Sequence, residues 1–200
     1  MPRCGSTPRS EAGSNPELQL LEALVARCAV EPDFYVRDML TWALIRLPAV
    51  ATVPRLLAEL HSPIAQARSQ ALHTLSKIRD ASSWSAITCN LLRDADDEVA
   101  RSAWRAAVVL VPEGRKPALA AELGTQLGRG DRSLQLSLSR ALIALGEHNV
   151  EPVLRKALTS ADAAVRAHAG ASEKLLHNPD AAFDLDLQEA KRVFVLSKER

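Results

Sequence analysis

The run Asp94-Ala95-Asp96-Asp97-Glu98-Val99-Ala100-Arg101-Ser102-Ala103-Trp104-Arg105-Ala106-Ala107 decides the architecture of this chain. It opens acidic and passes at Val99 into small residues at helical spacing. Four other stretches repeat the pattern. Aligned on the residue that plays the part of Val99, the copies read Val36, Ala67, Val99, Leu134 and Val165. The separations are 31 (36 to 67), 32 (67 to 99), 35 (99 to 134) and 31 (134 to 165). Self-similarity at about 30–45 residues marks a stacked array of helical units.

Four residues past each anchor stand Leu40, Ala71, Ala103, Leu138 and Ala169; eleven past it stand Leu47, Ile78, Leu110, Leu145 and Leu176. These offsets share one face of a helix with 3.6 residues per turn. Three before the anchor, Asp33, Asp96, Asp131 and Asp162 occupy four copies of five. An aspartate there accepts bonds from free backbone N–H groups and meets the positive end of the helix. Copy two has Ile64 at that offset, with Ser62 and Pro63 expected to supply the start signal. A shorter helix precedes each of these, with cores at 18–27, 54–60, 85–92, 117–127 and 152–158. Pro54 and Pro152 both stand thirteen residues before their anchors and read as first-turn prolines. Two helices per period and no alternating pattern make the unit a helical hairpin.

At these residues the chain resembles HEAT repeats, in particular the short form named after phycobilisome lyases. The Asp-x-Asp-x-x-Val-Arg type of run followed by alanine spacing carries the resemblance, over roughly residues 16–177. Copies one, two and five keep the arginine after the anchor (Arg37, Arg68, Arg166), whereas copies three and four have Ala100 and Gln135. The resemblance implies an all-α, right-handed α-solenoid of about five hairpins closed by a C-terminal capping helix. It also implies that the arginine row ties repeats together. For function it is permissive, since such arrays act as scaffolds in unrelated processes.

The expected organisation is a disordered tail at 1–15, an array at 16–177 and a capping segment at 178–200. Within the array the copies span about 16–47, 50–79, 82–111, 115–145 and 149–176. The tail is rich in Gly, Pro and Ser, while Leu185, Leu187, Val193, Val195 and Leu196 give the last segment an apolar side suited to cover the open end of the array. Copy four crowds Gly124, Gly128 and Gly130 around its turn, which predicts a longer connection there. Gly146 reads as a helix C-cap.

Hydrophobic residues make up 47% but aromatics only 4%, so Ala and Leu must fill the space between close helices. Trp104 falls in a row of variable size occupied elsewhere by Thr41, Leu72, Ser139 and Gly170, and reads as a core filler. A net charge of +1 gives no long-range pull toward nucleic acid or an anionic membrane. Three widely spaced cysteines fit neither a zinc site nor a disulfide framework; Cys28 and Cys89 are expected to be small core residues. No apolar run reaches the ~18 residues of a membrane span and no secretory leader is evident, so the cytoplasm is the simplest location.

No catalytic constellation is legible, and the chain reads as non-enzymatic with no cofactor and no metal. His61, His73, His148, His168 and His177 stand in separate settings, with none of the His-Glu pairs of helical metal sites. Glu147-His148 is expected in a loop. Gly128-x-Gly130 lacks the Lys-Ser/Thr of a phosphate loop.

The informative row lies six residues past the anchor, with a neighbour at two past. Trp42, His73, Arg101, Arg105 and Arg140 would form a strip along one groove if the second helices line the concave side, as the resemblance implies. Arginine offers forked donors to carboxylates, and tryptophan a stacking face. The leading expectation is an adaptor that binds a protein partner, in particular an acidic extended peptide. The first alternative is nucleic-acid binding, as in the DNA alkylation-repair glycosylases that resemble such arrays, through Arg101, Arg105, Arg115, Arg129, Arg132 and Arg140. The second is a bilin lyase or its chaperone.

Overall fold

The computed structural model describes residues 16–178. The expected tail at 1–15 and, beyond Asn178, the expected capping segment lie outside them. Every regular element among the described residues is helical. The α-helices are α1 (Pro16–Cys28), α2 (Phe34–Leu44), α3 (Ala49–Glu59), α4 (Ala65–Ile78), α5 (Cys89–Leu92), α6 (Asp97–Leu110), α7 (Lys116–Gly124), α8 (Arg132–Ile143), α9 (Glu147–Leu158) and α10 (Ala163–His177). Two 3-10 segments, Ala81–Ala86 and Glu113–Arg115, join them. None of these helices is long and apolar enough to cross a membrane.

The aspartate caps form as the spacing predicts. Asp33 accepts from the N–H groups of Tyr35 and Val36, Asp96 from Glu98 and Val99, Asp131 from Leu134 and Asp162 from Ala164. Copy two departs from expectation: Ile64 is the cap residue of α4 without a side-chain bond, and Ser62 Oγ accepts from the Ile64 N–H (3.2 Å) one step earlier. Ser62 therefore shapes the turn and leaves the first helical N–H groups uncapped.

Two prolines also sit differently. α3 begins at Ala49 and α9 at Glu147, so Pro54 and Pro152 lie inside helices. Each costs its helix one backbone bond. The early starts bring Thr52, Val53 and Val150 into the interior, and side chains steady the first turns. The Thr52 hydroxyl donates to the Pro48 carbonyl (3.1 Å) and the Asn149 amide to the Leu145 carbonyl (2.8 Å). Glu147 and His148 thus stand on the first turn of α9, not in a loop. Gly146, with φ 93°, is the residue before α9, while Ala144 ends α8.

The first helix of copy three is the other exception. In place of one helix over 85–92 there is the 3-10 segment followed by the four residues of α5. Trp104 packs where this shortened element leaves room. It is 1% exposed, and its indole N–H donates to the Leu92 carbonyl (2.8 Å) at the end of α5. Cys28 is buried as expected, and burial pushes its thiol up to about 11. Cys89 is exposed, because α5 begins there and turns it outward.

Helices pair within each copy (α1 with α2, α3 with α4, α5 with α6, α7 with α8, α9 with α10), and each second helix touches the next: α2, α4, α6, α8, α10. α4 and α6 have the most extensive interface. Across it Ser69 meets Ser102 (2.9 Å) and Arg68 reaches Asp94. Both helices are rich in buried small residues, Ala67 and Ala71 on α4 and Ala100, Ala103, Ala106 and Ala107 on α6, and small side chains permit close helix packing.

The turns within hairpins are laced to neighbouring copies. The Gln66 amide donates to the carbonyls of Cys28 (2.8 Å) and Glu31 (2.7 Å). Arg68 forks onto Asp94, Nε to Oδ2 and Nη2 to Oδ1, both at 3.0 Å. Arg129 reaches the Asp94 carbonyl (2.5 Å) and the Asp97 carboxylate (2.7 Å). The arginine row is therefore a tie between copies only at Arg68. Arg37 donates to the Glu31 and Pro32 carbonyls, and Arg166 to those of Ser160 and Ala161, each within its own turn.

Copy four has the longer connection that its glycines predict, residues 125–131 against 93–96 and 159–162. Gly128 and Gly130 take φ of 86° and 68°, the left-handed region that side chains disfavour.

Trp104 offers a direct check of the packing. Trp104→Phe keeps most of the volume but leaves the Leu92 carbonyl without its donor, an expected loss of about 1–3 kcal/mol. Trp104→Ala adds a cavity and should lose about 3–5 kcal/mol. Urea unfolding followed by circular dichroism measures both, and equal losses would contradict the hydrogen-bond role.

Candidate functional site

Along α2, α4 and α6 the second helices enclose a groove of about 390 Å³. Its polar walls include Asp38, Ser69, His73, Glu98, Ser102 and Arg105. These come from the row two past the anchor (Asp38, Ser69), the row three past (Ser102) and the row six past (His73, Arg105). The Ser69 and Ser102 hydroxyls meet at 2.9 Å and join α4 to α6 across the groove. Asp96, the cap of α6, also lines it.

The five strip residues are distributed as follows. His73 and Arg105 share the groove. Arg101 sits one turn before Arg105 on α6, its Nε 3.5 Å from Glu98 Oε1 and its Nη1 3.4 Å from Ser133 Oγ on α8. Both contacts are at the long limit, and the buried Nε makes no well-aligned hydrogen bond. Arg140 is exposed on α8, near enough to Arg105 for the two cations to repel. Trp42 is not among the lining residues: it is half exposed on α2, with the Arg46 guanidinium 3.9 Å from its ring centroid.

Arg105 differs from the arginines around it. Arg68, Arg93 and Arg129 are each forked onto carboxylates. Arg105 makes no ion pair or hydrogen bond among the described residues. Partial burial and the neighbouring Arg101 lower its pKa, Glu98 opposes this, and Arg140 adds to it. The guanidinium stays charged at any physiological pH. A cation held among cations, facing an open groove, is placed to gain from an incoming anion. His73 is likewise held below the usual histidine range, first by burial, then by Lys77, with Arg105 adding and Asp38 opposing. Around neutral pH it is an uncharged hydrogen-bonding group.

A larger cavity, about 790 Å³, opens between α7 and α9. Its walls are mainly apolar (Pro117, Ala121, Pro152, Val153), with Lys156 as their one permanently charged side chain beside His148 and Asn149, against the four acidic and basic groups or more that converge on the smaller groove. The smaller groove is the better candidate for recognition for that reason.

One buried cluster has the residue types of nucleophilic chemistry. His168 Nε2 lies 3.1 Å from Ser139 Oγ, which lies 2.7 Å from Ser172 Oγ. All three side chains are at most 4% exposed. The Gly128 N–H donates to His168 Nδ1 (3.0 Å), so the ring proton sits on Nε2, facing the Gln135 carbonyl (2.9 Å). With both nitrogens engaged by the backbone of the 125–131 connection and α8, His168 is a bolt between copies four and five. Sequence reading missed it because His168 occupies a row of otherwise ordinary polar residues, and its partner is the backbone N–H of a glycine. Among the described residues no three His, Cys, Asp or Glu side chains converge as metal ligands would.

In comparison with known proteins, the chain matches no family model and no curated protein.

The bolt carries a pH dependence of defined sign. Burial lowers the His168 pKa, and the bond to Gln135 only partly opposes it. A second proton would have to sit on Nδ1, against the Gly128 N–H. Because the folded pKa is below the unfolded value of about 6.5, stability is fully present above that value and is lost as pH falls through the folded pKa. His73 contributes with the same sign. The unfolding free energy should therefore fall between pH 7.5 and 5.5, His168 accounting for at most about 1.4 kcal/mol per pH unit. In a His73→Gln background, His168→Asn should be less stable overall yet flat across this range. An unchanged slope in the double variant would contradict the assignment.

Proposed function

We propose that this chain is a cytoplasmic HEAT-like adaptor: a right-handed α-solenoid of five short, phycobilisome-lyase-type hairpins that holds an acidic, extended segment of a protein partner in its second-helix groove. The succession of contacts from α2 through α10 supports the stack. The observation that carries the ligand chemistry is Arg105, which lines the groove without a carboxylate of its own while Arg101 and Arg140 repel it. An incoming carboxylate relieves that repulsion and accepts a forked pair of bonds, the geometry at which arginine excels.

Polypeptide fits better than nucleic acid. Asp38, Asp96 and Glu98 stand along the same groove and would repel a phosphate backbone, but they suit the amides and occasional cations of a peptide. Arg129, one of the residues on which nucleic-acid binding would depend, is committed to Asp97 and the Asp94 carbonyl. The Ser69 and Ser102 hydroxyls of the groove are bonded to each other and not to the His73 ring. This supports recognition in place of turnover.

The test compares wild type with Arg105→Glu and with the triple variant Arg101→Glu, Arg105→Glu, Arg140→Glu, in pull-downs from native extract followed by affinity measurement on the recovered partner. Charge-assisted bonds of about 1.5–3 kcal/mol imply that Arg105→Glu alone weakens binding by at least about tenfold. Helical circular dichroism and melting should be unchanged in the single variant. Nuclease-sensitive recovery, or the same partner held equally by all three proteins, would contradict the proposal.

A further inference from the structure

The large apolar side chains left exposed among the described residues are concentrated before residue 51, and α2 carries a continuous set of them. Tyr35, Met39 and Trp42 are 78%, 61% and 50% exposed and follow at i, i+4 and i+7, on one face of the helix. Val36 borders this face and is also exposed, and Phe34 meets Tyr35 edge-on at 5.7 Å. Nothing in the described fold covers these side chains.

The same face of the later second helices is covered. Ser102 bonds to Ser69 of the preceding copy, and His168 to Gln135 of the preceding copy. The anchors Ala67, Val99 and Leu134 are buried, whereas Val36 is 42% exposed. Residues 1–15 contain no Leu, Ile, Val or aromatic residue to cover it, whereas the segment after residue 178 contains Phe183, Leu185, Leu187 and Val193–Leu196. A wild type monomeric because that segment lies on α2 would count against pairing through this face. Composition separates this face from the others as well. At the offset of Met39 the later copies carry Gln70, Ser102, Ser137 and His168. A face that is bulky and apolar where its counterparts are small or polar is not shaped for one more repeat of the same kind.

We propose that two copies of this chain pair through α2, antiparallel, across a two-fold axis passing close to Met39. An isologous interface needs a self-complementary patch, and α2 provides one. Its N-terminal half carries the cap Asp33, Arg37 (turned onto the Glu31 and Pro32 carbonyls) and Asp38; Arg46, stacked on Trp42, stands just beyond its C-terminus. Antiparallel pairing sets Arg46 of each copy toward the acidic half of the other, while parallel pairing sets like charges together. Side chains that hold about 150–250 Å² when aromatic leave roughly 500 Å² of this patch exposed per copy. Two copies then cover on the order of 1,000 Å², the size at which a specific interface becomes sustainable. The groove adjoins this surface: Phe34 and Asp38 line it, whereas Met39 and Trp42 do not.

Sedimentation velocity of the full-length chain between about 1 and 100 µM tests this pairing. Wild type should shift from monomer to dimer across that range. Met39→Glu places two carboxylates at the axis and should leave monomer throughout, with helical circular dichroism unchanged because Met39 is exposed. Arg46→Asp should weaken the dimer. Arg105→Glu should leave it intact, which separates failure of the pairing from failure of the groove proposal. Wild type that remains monomeric at the highest concentration, or a dimer that survives Met39→Glu, would overturn the proposal.

Discussion

The close approach of α4 and α6 sets the geometry on which the rest of the molecule depends. Alanines at 67 and 71 of α4 and at 103, 106 and 107 of α6 are buried, and the two helices share the most extensive contact of the described fold. The fork of Arg68 onto Asp94 pins the start of α6 to the same neighbour. With a spacing fixed this tightly, the Ser69 and Ser102 hydroxyls meet, and His73 and Arg105 are brought to one groove. A larger residue in the alanine row would separate the helices and the groove walls together. Fold and site therefore share one constraint.

Polar chemistry in this chain serves mostly as lacing. Gln66, Arg68, Arg129 and His168 each secure a loop to the neighbouring copy, usually through backbone groups that helices leave without partners. Against that background the unpaired Arg105 and the uncovered face of α2 are exceptions of opposite kind: one lacks a countercharge, the other lacks a cover. They adjoin each other, since Phe34 and Asp38 of the first copy also line the groove.

Much of the architecture was legible in the sequence because the repeat supplies five independent readings of one pattern. The anchors, the aspartate caps and the long connection of copy four follow from spacing alone. The misreadings have a common origin in local rules overridden by tertiary packing. Pro54 and Pro152 looked like helix starts, yet burial of Val53 and Val150 extends both helices past them. Cys89 looked like core by residue type, but a shortened α5 faces it outward. Within the strip, His73 and Arg105 share the groove; the offset that named them also named Trp42, which the groove does not include. His168 and Arg129 were invisible as ties because their partners are backbone groups distant in sequence, and residue identity carries no signal for those.

In the proposed stack of hairpins, interior units have two neighbours and terminal units one, which predicts a graded stability profile that a globular core lacks. Native-state amide hydrogen exchange on the full-length chain reads that profile directly. Protection is expected to peak in α4 and α6, to fall stepwise through α8 toward α10 on one side and α2 toward α1 on the other, and to drop most in α6 for Arg68→Ala. Uniform protection across all ten helices, or highest protection in α1 or α10, would contradict a stack organised on the α4–α6 contact.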